Sequence, residues 1–305
     1  MGEKTKIEWT DFTFNPWWGC SRVSPACRFC YADRDASRYG YELWRRHGER
    51  RMLSGANWAK PLKWNREAEK AGIPAKVFCA SMADVFEDHP QVAEPRERLW
   101  EVIEATPWLH WQLLTKRPEN VTQMAPWGDS WPAHVWLGTS VETMRFAEQR
   151  IPILLDIPAK VRFLSCEPLL EELDLSRWLI PWNRAVQHST DNPTHVLGPY
   201  GDSFSEVGCD DCGFDSMDGI NWIIVGGESG PKSRPTEVAW VESLIMQCRM
   251  TGVRPFVKQL GAPWAKDAFV GGRSVFAHGD RKGGDWSYWP SDLRVREFPE
   301  TAVSA

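Results

Sequence analysis

Short, almost continuously apolar runs recur through the middle of the chain, and each of them ends in small or polar residues. Runs of this kind are typical of parallel strands that are buried on both faces of a sheet. The runs are Lys76–Ala80, Trp111–Leu114, Val135–Gly138, Val161–Leu164, Trp222–Val225 and Pro255–Lys258. A further strand is expected near Asp11–Asn15, which brings the number to about seven.

Amphipathic stretches separate these runs. Apolar residues recur at helical spacing in Val92–Thr106, Thr143–Ile157 and Val238–Met250. The regular alternation of strand and helix predicts an α/β fold with a parallel sheet and crossover connections. About six or seven strands suit a partial, TIM-like (β/α) barrel, although a doubly wound open sheet fits the same pattern.

Polar, charged or small residues follow five of the predicted strands. In parallel α/β folds, ligands bind at the carboxyl ends of the strands, so these residues predict one shared site. They are Ser81, Asp84, Lys116, Ser140, Glu142, Glu167, Gly226, Gly227 and Glu228. The alternative is that they cap the helices that follow them.

The alternation stops at two places. Residues 181–219 are rich in Asp, Ser, Pro and Gly, and they predict an insertion in a barrel domain that spans residues 1–264. Residues 265–305 show little periodicity and are expected to form an irregular C-terminal cap. The insertion contains Cys209-x2-Cys212 with His188 and His195, which is a candidate zinc knuckle; two free surface cysteines are the alternative.

Composition narrows the class of protein. The chain has 305 residues, of which 42% are hydrophobic and 25% charged, so it can bury a sizeable core. Its net charge of −5 gives no overall attraction to nucleic acid, and the positive cluster from Arg45 to Arg51 is either a solvated loop or a grip on phosphates. The sequence shows no secretory signal and no membrane span. We therefore expect a cytoplasmic protein without a membrane partner, whose thiols stay reduced.

The sharpest chemical motif is Cys20-x6-Cys27-x2-Cys30, between the first predicted strand and the first predicted helix. Three thiolates suit a [4Fe–4S] cluster that leaves one iron open, because a cluster held only by protein normally uses four cysteines. S-adenosylmethionine (SAM) can bind such an iron and be cleaved to a 5′-deoxyadenosyl radical. The alternatives are a zinc ion with His47 as the fourth ligand, and structural or redox cysteines. Phe29 and the polar strand ends favour the cluster.

Several segments resemble those of a phage and bacterial family of unknown function that carries a three-cysteine motif. They are KIEWTDFTFNPWWGCSRVSPACRFCYA, VFCASMADVF, QLLTKRP, VWLGTSVE, RFLSCEPLL, WIIVGGESGPKSRP and PFVKQLG. That family in turn resembles radical-SAM enzymes and, distantly, spore photoproduct lyase. The x6 spacing of the first two cysteines departs from the usual x3, while the x2 pair with its aromatic residue agrees.

The resemblance implies a radical-SAM-like partial barrel with SAM as cofactor and a [4Fe–4S] cluster on Cys20, Cys27 and Cys30. The residues that it implies for cofactor binding are Tyr31, Ser81, Asp84, Lys116, Ser140, Glu142, Glu167, Gly226, Gly227 and Glu228. It also implies a reducing partner such as flavodoxin or ferredoxin, and the host cytoplasm if a phage encodes the chain. Removing the charge of Glu142 or Glu228 is expected to weaken SAM binding.

Three functions compete. The leading hypothesis is a radical-SAM enzyme acting on nucleic acid or a nucleotide, given the resemblance, the arginine cluster and the 19 tryptophans available for base stacking. The alternative is a zinc-stabilised module that binds nucleic acid or protein without catalysis. The third hypothesis is a barrel hydrolase that uses paired carboxylates as acid and base. Its candidates are Asp84, Glu142, Glu167 and Glu228.

Overall fold

The computed structural model describes residues 5–179 and 219–300. In chain order the strands are β1 (Phe12–Thr13), β2 (Trp17–Trp18), β3 (Arg51–Met52), β4 (Ala75–Cys79), β5 (Leu109–Thr115), β6 (Val135–Ser140), β7 (Arg162–Cys166), β8 (Trp222–Gly226), β9 (Arg254–Gln259), β10 (Phe269–Val270) and β11 (Arg273–Ser274). The helices are α1 (Tyr31–Arg38), α2 (Gly55–Trp58), α3 (Lys60–Ala71), α4 (Ala93–Glu104), α5 (Val121–Met124), α6 (Met144–Leu155), α7 (Ser176–Leu179), α8 (Val238–Thr251) and α9 (Ala262–Asp267). Across the described ranges, no helix has the length and apolar character needed to cross a membrane. The cytoplasmic location stays a prediction.

Seven parallel strands form the main sheet, in the order β1-β4-β5-β6-β7-β8-β9. Strands that follow one another along the chain are neighbours in the sheet, which curls into a half-barrel. The prediction of a partial (β/α) barrel is therefore confirmed. The doubly wound alternative is wrong, because a doubly wound sheet reverses its strand order at an interior strand.

The two faces of the sheet carry different cores, because alternate residues of a strand point to opposite faces. On the helix-covered face, Val77 and Leu113 pack in one cluster with Leu99 of α4 and Ile151 of α6. The other face lies inside the half-barrel and is filled mainly by aromatic side chains, which we call the aromatic core. Its members are Trp9, Phe78, Trp136, Val161, Phe163, Trp222, Ile224 and Phe256.

Helix ends follow the local sequence. The pattern predicts a stop at Thr251–Gly252, and α8 ends there, with Gly252 at a φ of +73°. This left-handed conformation is the one that glycine adopts without strain at a helix C-terminus.

The C-terminal stretch lies along the edge strand β9. The amide of Val257 donates to the carbonyl of Val295 at 2.8 Å, and the amide of Glu297 donates to that of Pro255 at 3.0 Å. This pairing covers backbone groups that an edge strand would otherwise expose.

The boundaries of the predicted domains stay a prediction, and residues 180–218 of the predicted insertion lie outside the described residues. The candidate zinc ligands Cys209 and Cys212 therefore remain untested.

Candidate functional site

A cavity of about 480 Å³ lies at the carboxyl ends of the parallel strands. The predicted residues that line it are Cys20, Cys27, Cys30, Tyr31, Ser81, Asp84, Lys116, Ser140, Glu167, Gly227 and Glu228. Trp9, Phe78 and Leu114, which belong to or pack against the aromatic core, also line the cavity. Of the predicted residues that the structure describes, Glu142 and Gly226 are not among those that line it.

The cysteine loop, residues 19–30, connects β2 to α1 along one side of the cavity. Cys20 follows β2, Cys27 lies in a short 3₁₀-helix (Pro25–Phe29), and Cys30 is the residue before α1. All three thiols are free of disulfides and partly exposed. Proline at the start of the 3₁₀-helix is preorganised for a helical turn, which helps to present Cys27 and Cys30 together.

The surroundings of Cys20 and Cys30 favour the neutral thiol. Burial raises the pKa of Cys20 to about 12, and the Asp84 and Glu87 carboxylates add to that rise while Arg117 opposes it. Burial also raises the pKa of Cys30. A metal that binds these two sulfurs must therefore displace a proton from each.

Cys27 has the opposite behaviour. Burial works against its thiolate, but the Lys116 ammonium group and backbone hydrogen bonds with Val23 and Ser24 outweigh that effect, and the pKa of Cys27 is lowered. The Lys116 side chain also donates a hydrogen bond of 3.0 Å to the hydroxyl of Ser140. Lys116 thus places a positive charge between the cysteine loop and the end of β6.

The four carboxylates at the predicted strand ends are all ion-paired. The pairs are Asp84–Arg117 at 2.9 Å, Glu142–Arg150 at 3.0 Å, Glu167–Lys258 at 3.0 Å and Glu228–Arg234 at 2.5 Å. A general acid or base has to exchange protons with substrate, and a carboxylate held by a basic side chain is poorly suited to that role. These pairs count against the hydrolase hypothesis.

Glu142 is buried in the interior, where its carboxylate meets Arg150 of α6. Its side chain is fully buried, and one of its oxygens has no hydrogen-bond partner. This position explains why Glu142 is not among the cavity residues, although it follows β6 directly.

Protein groups lie close to Gly226, the last residue of β8, and to Gly227, which follows it. A methyl group on Gly226 would lie 2.5 Å from the carboxylate of Glu167, and one on Gly227 would lie 2.3 Å from the carbonyl oxygen of Leu260. Both distances are shorter than van der Waals contact. The groups that approach Gly226 and Gly227 closely are therefore parts of the protein itself.

Arg117 and Lys258 also line the cavity, and sequence reasoning missed both. Each lies at the end of an apolar run, so the same rule that selected Lys116 applies to them. Glu87 was missed too, and its sequence context provides no signal, because its partners are distant in the chain. Its carboxylate accepts hydrogen bonds of 2.6 Å from both the amide and the hydroxyl of Ser21.

The predicted cluster from Arg45 to Arg51 separates into different environments. Arg50 is 2% exposed and pairs with Glu87 at 2.8 Å, so it cannot grip a phosphate at the surface. Arg45 is exposed and pairs with Glu42. His47 is also exposed and is not among the cavity residues, whereas the three cysteines are. This position counts against His47 as the fourth ligand of a zinc ion.

Arg51 belongs to an aromatic–arginine surface formed by Trp18, Tyr39, Tyr41, Arg51 and Met52. The guanidinium of Arg51 lies 5.0 Å from the ring centre of Trp18 and 4.7 Å from that of Tyr41. Tyr39 is 72% exposed and Met52 is 41% exposed. Trp18 and Tyr41 pack on the same small apolar cluster as two cysteines of the loop, so this surface adjoins the cysteine loop.

Comparison with known proteins adds two kinds of match. Two solved structures of spore photoproduct lyase are similar to the chain, each with 12% identity and a TM-score of 0.42. One is complexed with dinucleoside spore photoproduct, and the other is a double mutant with bound AdoMet and dinucleoside spore photoproduct. They cover 73% and 82% of this chain, which spans 57% and 64% of their lengths.

Similarity at this level does not transfer a ligand or a reaction. No curated protein sequence matches the chain. A family model does match it over residues 4–290, which is most of its length. The chain belongs to the family described as Protein of unknown function (DUF5131).

Proposed function

We propose that this chain is a radical-SAM-type iron–sulfur enzyme, in which Cys20, Cys27 and Cys30 hold a [4Fe–4S] cluster and the cavity beside them receives SAM. The observation that carries the proposal is the convergence of three free cysteines and the polar strand ends on one cavity. A zinc-stabilised binding module would give that cavity no role. A cluster held there, once reduced by an external electron donor, would supply the electron for reductive cleavage of SAM, which is the chemistry that leads to hydrogen abstraction from a substrate.

The donor set supports a cluster more than a single ion. Each cysteine of a [4Fe–4S] cluster binds a different iron, so three thiols spread along one side of a cavity suit it. One zinc ion instead needs all its ligands within about 2.3 Å of one point. The predicted fourth zinc ligand, His47, is exposed and is not among the cavity residues.

The residues around the cavity support the binding of SAM. We assign the SAM carboxylate to Lys116, because its ammonium group has no carboxylate partner among the described residues and bonds to Ser140. The hydroxyl of Tyr31 donates to the carbonyl of Ser81 at 2.9 Å, which joins α1 to the end of β4. Trp9 and the rest of the aromatic core form a buried apolar layer below the cavity, which would shield bound SAM from water.

The first test measures metal and spectrum together. Protein purified without oxygen should contain about four irons per chain after reconstitution, and its reduced EPR signal should change when SAM is added. Cys27→Ala and Cys30→Ala should lose most of the iron, because two thiolates cannot retain the cluster. Cys248→Ala is the matched control, since Cys248 is buried in the core away from the cavity. Stoichiometric zinc without iron in the reconstituted wild-type protein would refute the cluster.

We further propose that the substrate is nucleic acid or a nucleotide. The support is the aromatic–arginine surface beside the cysteine loop, because exposed aromatic rings stack on bases and arginine attracts phosphates. Arg50 is buried and paired with Glu87, so it cannot contact a nucleic acid. The proposal therefore rests on Arg51 and its aromatic neighbours. The flavodoxin or ferredoxin partner and the zinc ion in the insertion stay predictions.

A further inference from the structure

A buried ion network lies directly behind Cys20. Its four members are Arg50, Asp84, Glu87 and Arg117, and each is at most 7% exposed. Arg50 pairs with Glu87 at 2.8 Å and Arg117 pairs with Asp84 at 2.9 Å. Arg117 also lies 3.6 Å from Glu87, so the two pairs form one network.

The network forms hydrogen bonds with the cysteine loop at Cys20 and Ser21. One terminal nitrogen of Arg117, Nη2, donates to the carbonyl of Ser21 at 2.9 Å, and the other, Nη1, lies 3.6 Å from the sulfur of Cys20. Glu87 holds the amide and the hydroxyl of the same Ser21 at 2.6 Å. Arg117 and Glu87 thus both hold the loop, through its backbone groups and its side chains.

The charges of the network cancel within it, since two arginines face two carboxylates. The carboxylates therefore already balance the positive charge of Arg117, yet one of its N–H groups is directed at the sulfur of Cys20. The Cys20 thiol donates to the carbonyl of Ser21 at 3.3 Å, and this is the same carbonyl that Nη2 of Arg117 holds. Arg117 thus contacts both the sulfur and the backbone group beside it, which suits a residue that orients a metal ligand.

We infer that Arg117 is a positioning residue, which fixes Cys20 as a ligand of the cluster and stabilises the reduced cluster through its N–H···S contact. This inference rests on the proposed function. Residues that hydrogen-bond a metal ligand set its orientation, and hydrogen bonds to cluster sulfurs raise the reduction potential. Arg117 fills both roles because the fork of its guanidinium reaches the sulfur and the backbone at once.

The test compares Arg117→Gln and Arg117→Lys with the wild type after anaerobic reconstitution. Arg117→Gln should release iron to a chelator faster, by about tenfold. Its midpoint potential should shift to more negative values, since the donor to the sulfur is weakened and the positive charge is lost. Arg117→Lys keeps the charge without the fork, so we expect faster iron release with a smaller shift in potential.

Arg150→Gln is the matched control. Arg150 is as buried as Arg117 and pairs with Glu142 at 3.0 Å, but it lies outside the network. This variant should unfold at a lower temperature and keep the wild-type rate of iron release and midpoint potential in the absence of SAM.

The outcomes separate the inference from the proposed function. Wild-type release rate and potential in Arg117→Lys and Arg117→Gln would overturn the inference while leaving the cluster in place. Equal iron loss in Arg150→Gln would also overturn it, because general destabilisation would then explain the effect. A wild-type protein that binds no cluster would overturn the proposed function and, with it, the inference.

Discussion

Lys116 and the four carboxylates at the strand ends are all charged, but they differ in whether a group of opposite charge within the protein pairs with them. Asp84, Glu142, Glu167 and Glu228 all have basic partners within the protein. Lys116 bonds to a neutral hydroxyl and faces the cavity. A charged group of this kind is stabilised when a ligand of opposite charge binds, whereas the paired carboxylates are already compensated.

Lys116 is accordingly the residue to change first for SAM binding. Lys116→Met keeps most of the length of the side chain and removes its charge, and we expect the affinity for SAM to fall by about tenfold or more, as for the loss of a charged hydrogen bond. Anaerobic equilibrium dialysis of the reconstituted protein measures this, with iron content as a check. Lys160→Met, at an exposed position, is the control. Unchanged affinity in Lys116→Met would refute the assignment of the SAM carboxylate.

At the scale of elements, β6 and β7 meet inside the half-barrel through a glycine and an aromatic ring. A methyl group on Gly138 would lie 2.4 Å from the ring of Phe163. That ring is fully buried and packs 5.7 Å from the ring of Trp222 in the aromatic core. Gly138 therefore provides the space in which the large ring of the neighbouring strand lies.

Gly138→Ala should overpack the aromatic core. We expect the free energy of unfolding to fall by about 1–3 kcal/mol, because neither Phe163 nor its neighbours can move freely. Denaturant titration measures the change. Gly55→Ala is the matched control, since nothing lies within 4 Å of the added methyl group. Equal stability of the two variants would show that the core accommodates the methyl group without cost.

At the scale of the whole molecule, a net charge of −5 coexists with the aromatic–arginine surface beside the cysteine loop. Long-range attraction to a polyanion is therefore weak, and contact has to come from short-range stacking and a few cations. The aromatic–arginine surface adjoins the cysteine loop, which lies along one side of the cavity. A single-stranded nucleic acid bound to that surface would therefore lie near the cysteine loop.

Removing Arg51 should weaken binding to single-stranded oligonucleotides. We expect the dissociation constant to rise by about tenfold in Arg51→Ala and in Tyr39→Ala, from lost phosphate and stacking contacts. Fluorescence anisotropy at fixed salt measures this. Arg177→Ala is the control, because the exposed Arg177 also stacks on an aromatic ring, that of the partly buried Trp178, but outside this surface. Equal loss in all three variants, or no binding by the wild type, would argue against the nucleic-acid substrate.

The sequence by itself determined the seven strands of the main sheet, their parallel arrangement and the edge of the sheet at which the cavity lies. Each of these follows from local information: a strand buried on both faces is a continuous apolar run, and the carboxyl ends of parallel strands meet at one edge. The cysteine motif is equally local, which is why Cys20, Cys27 and Cys30 were found together. The same reasoning placed Lys116 and Ser140 at the cavity.

Only the tertiary structure decided which charges are satisfied and which face the cavity. Glu142 pairs with Arg150 inside the fold, while Arg50 reaches Glu87 across 37 positions of sequence, and Arg117 reaches Cys20 across 97. Burial makes an unpaired charge costly, so the partner of each charged group depends on how helices and loops pack on the sheet. Such pairings join residues that are distant along the chain, and no local pattern specifies them.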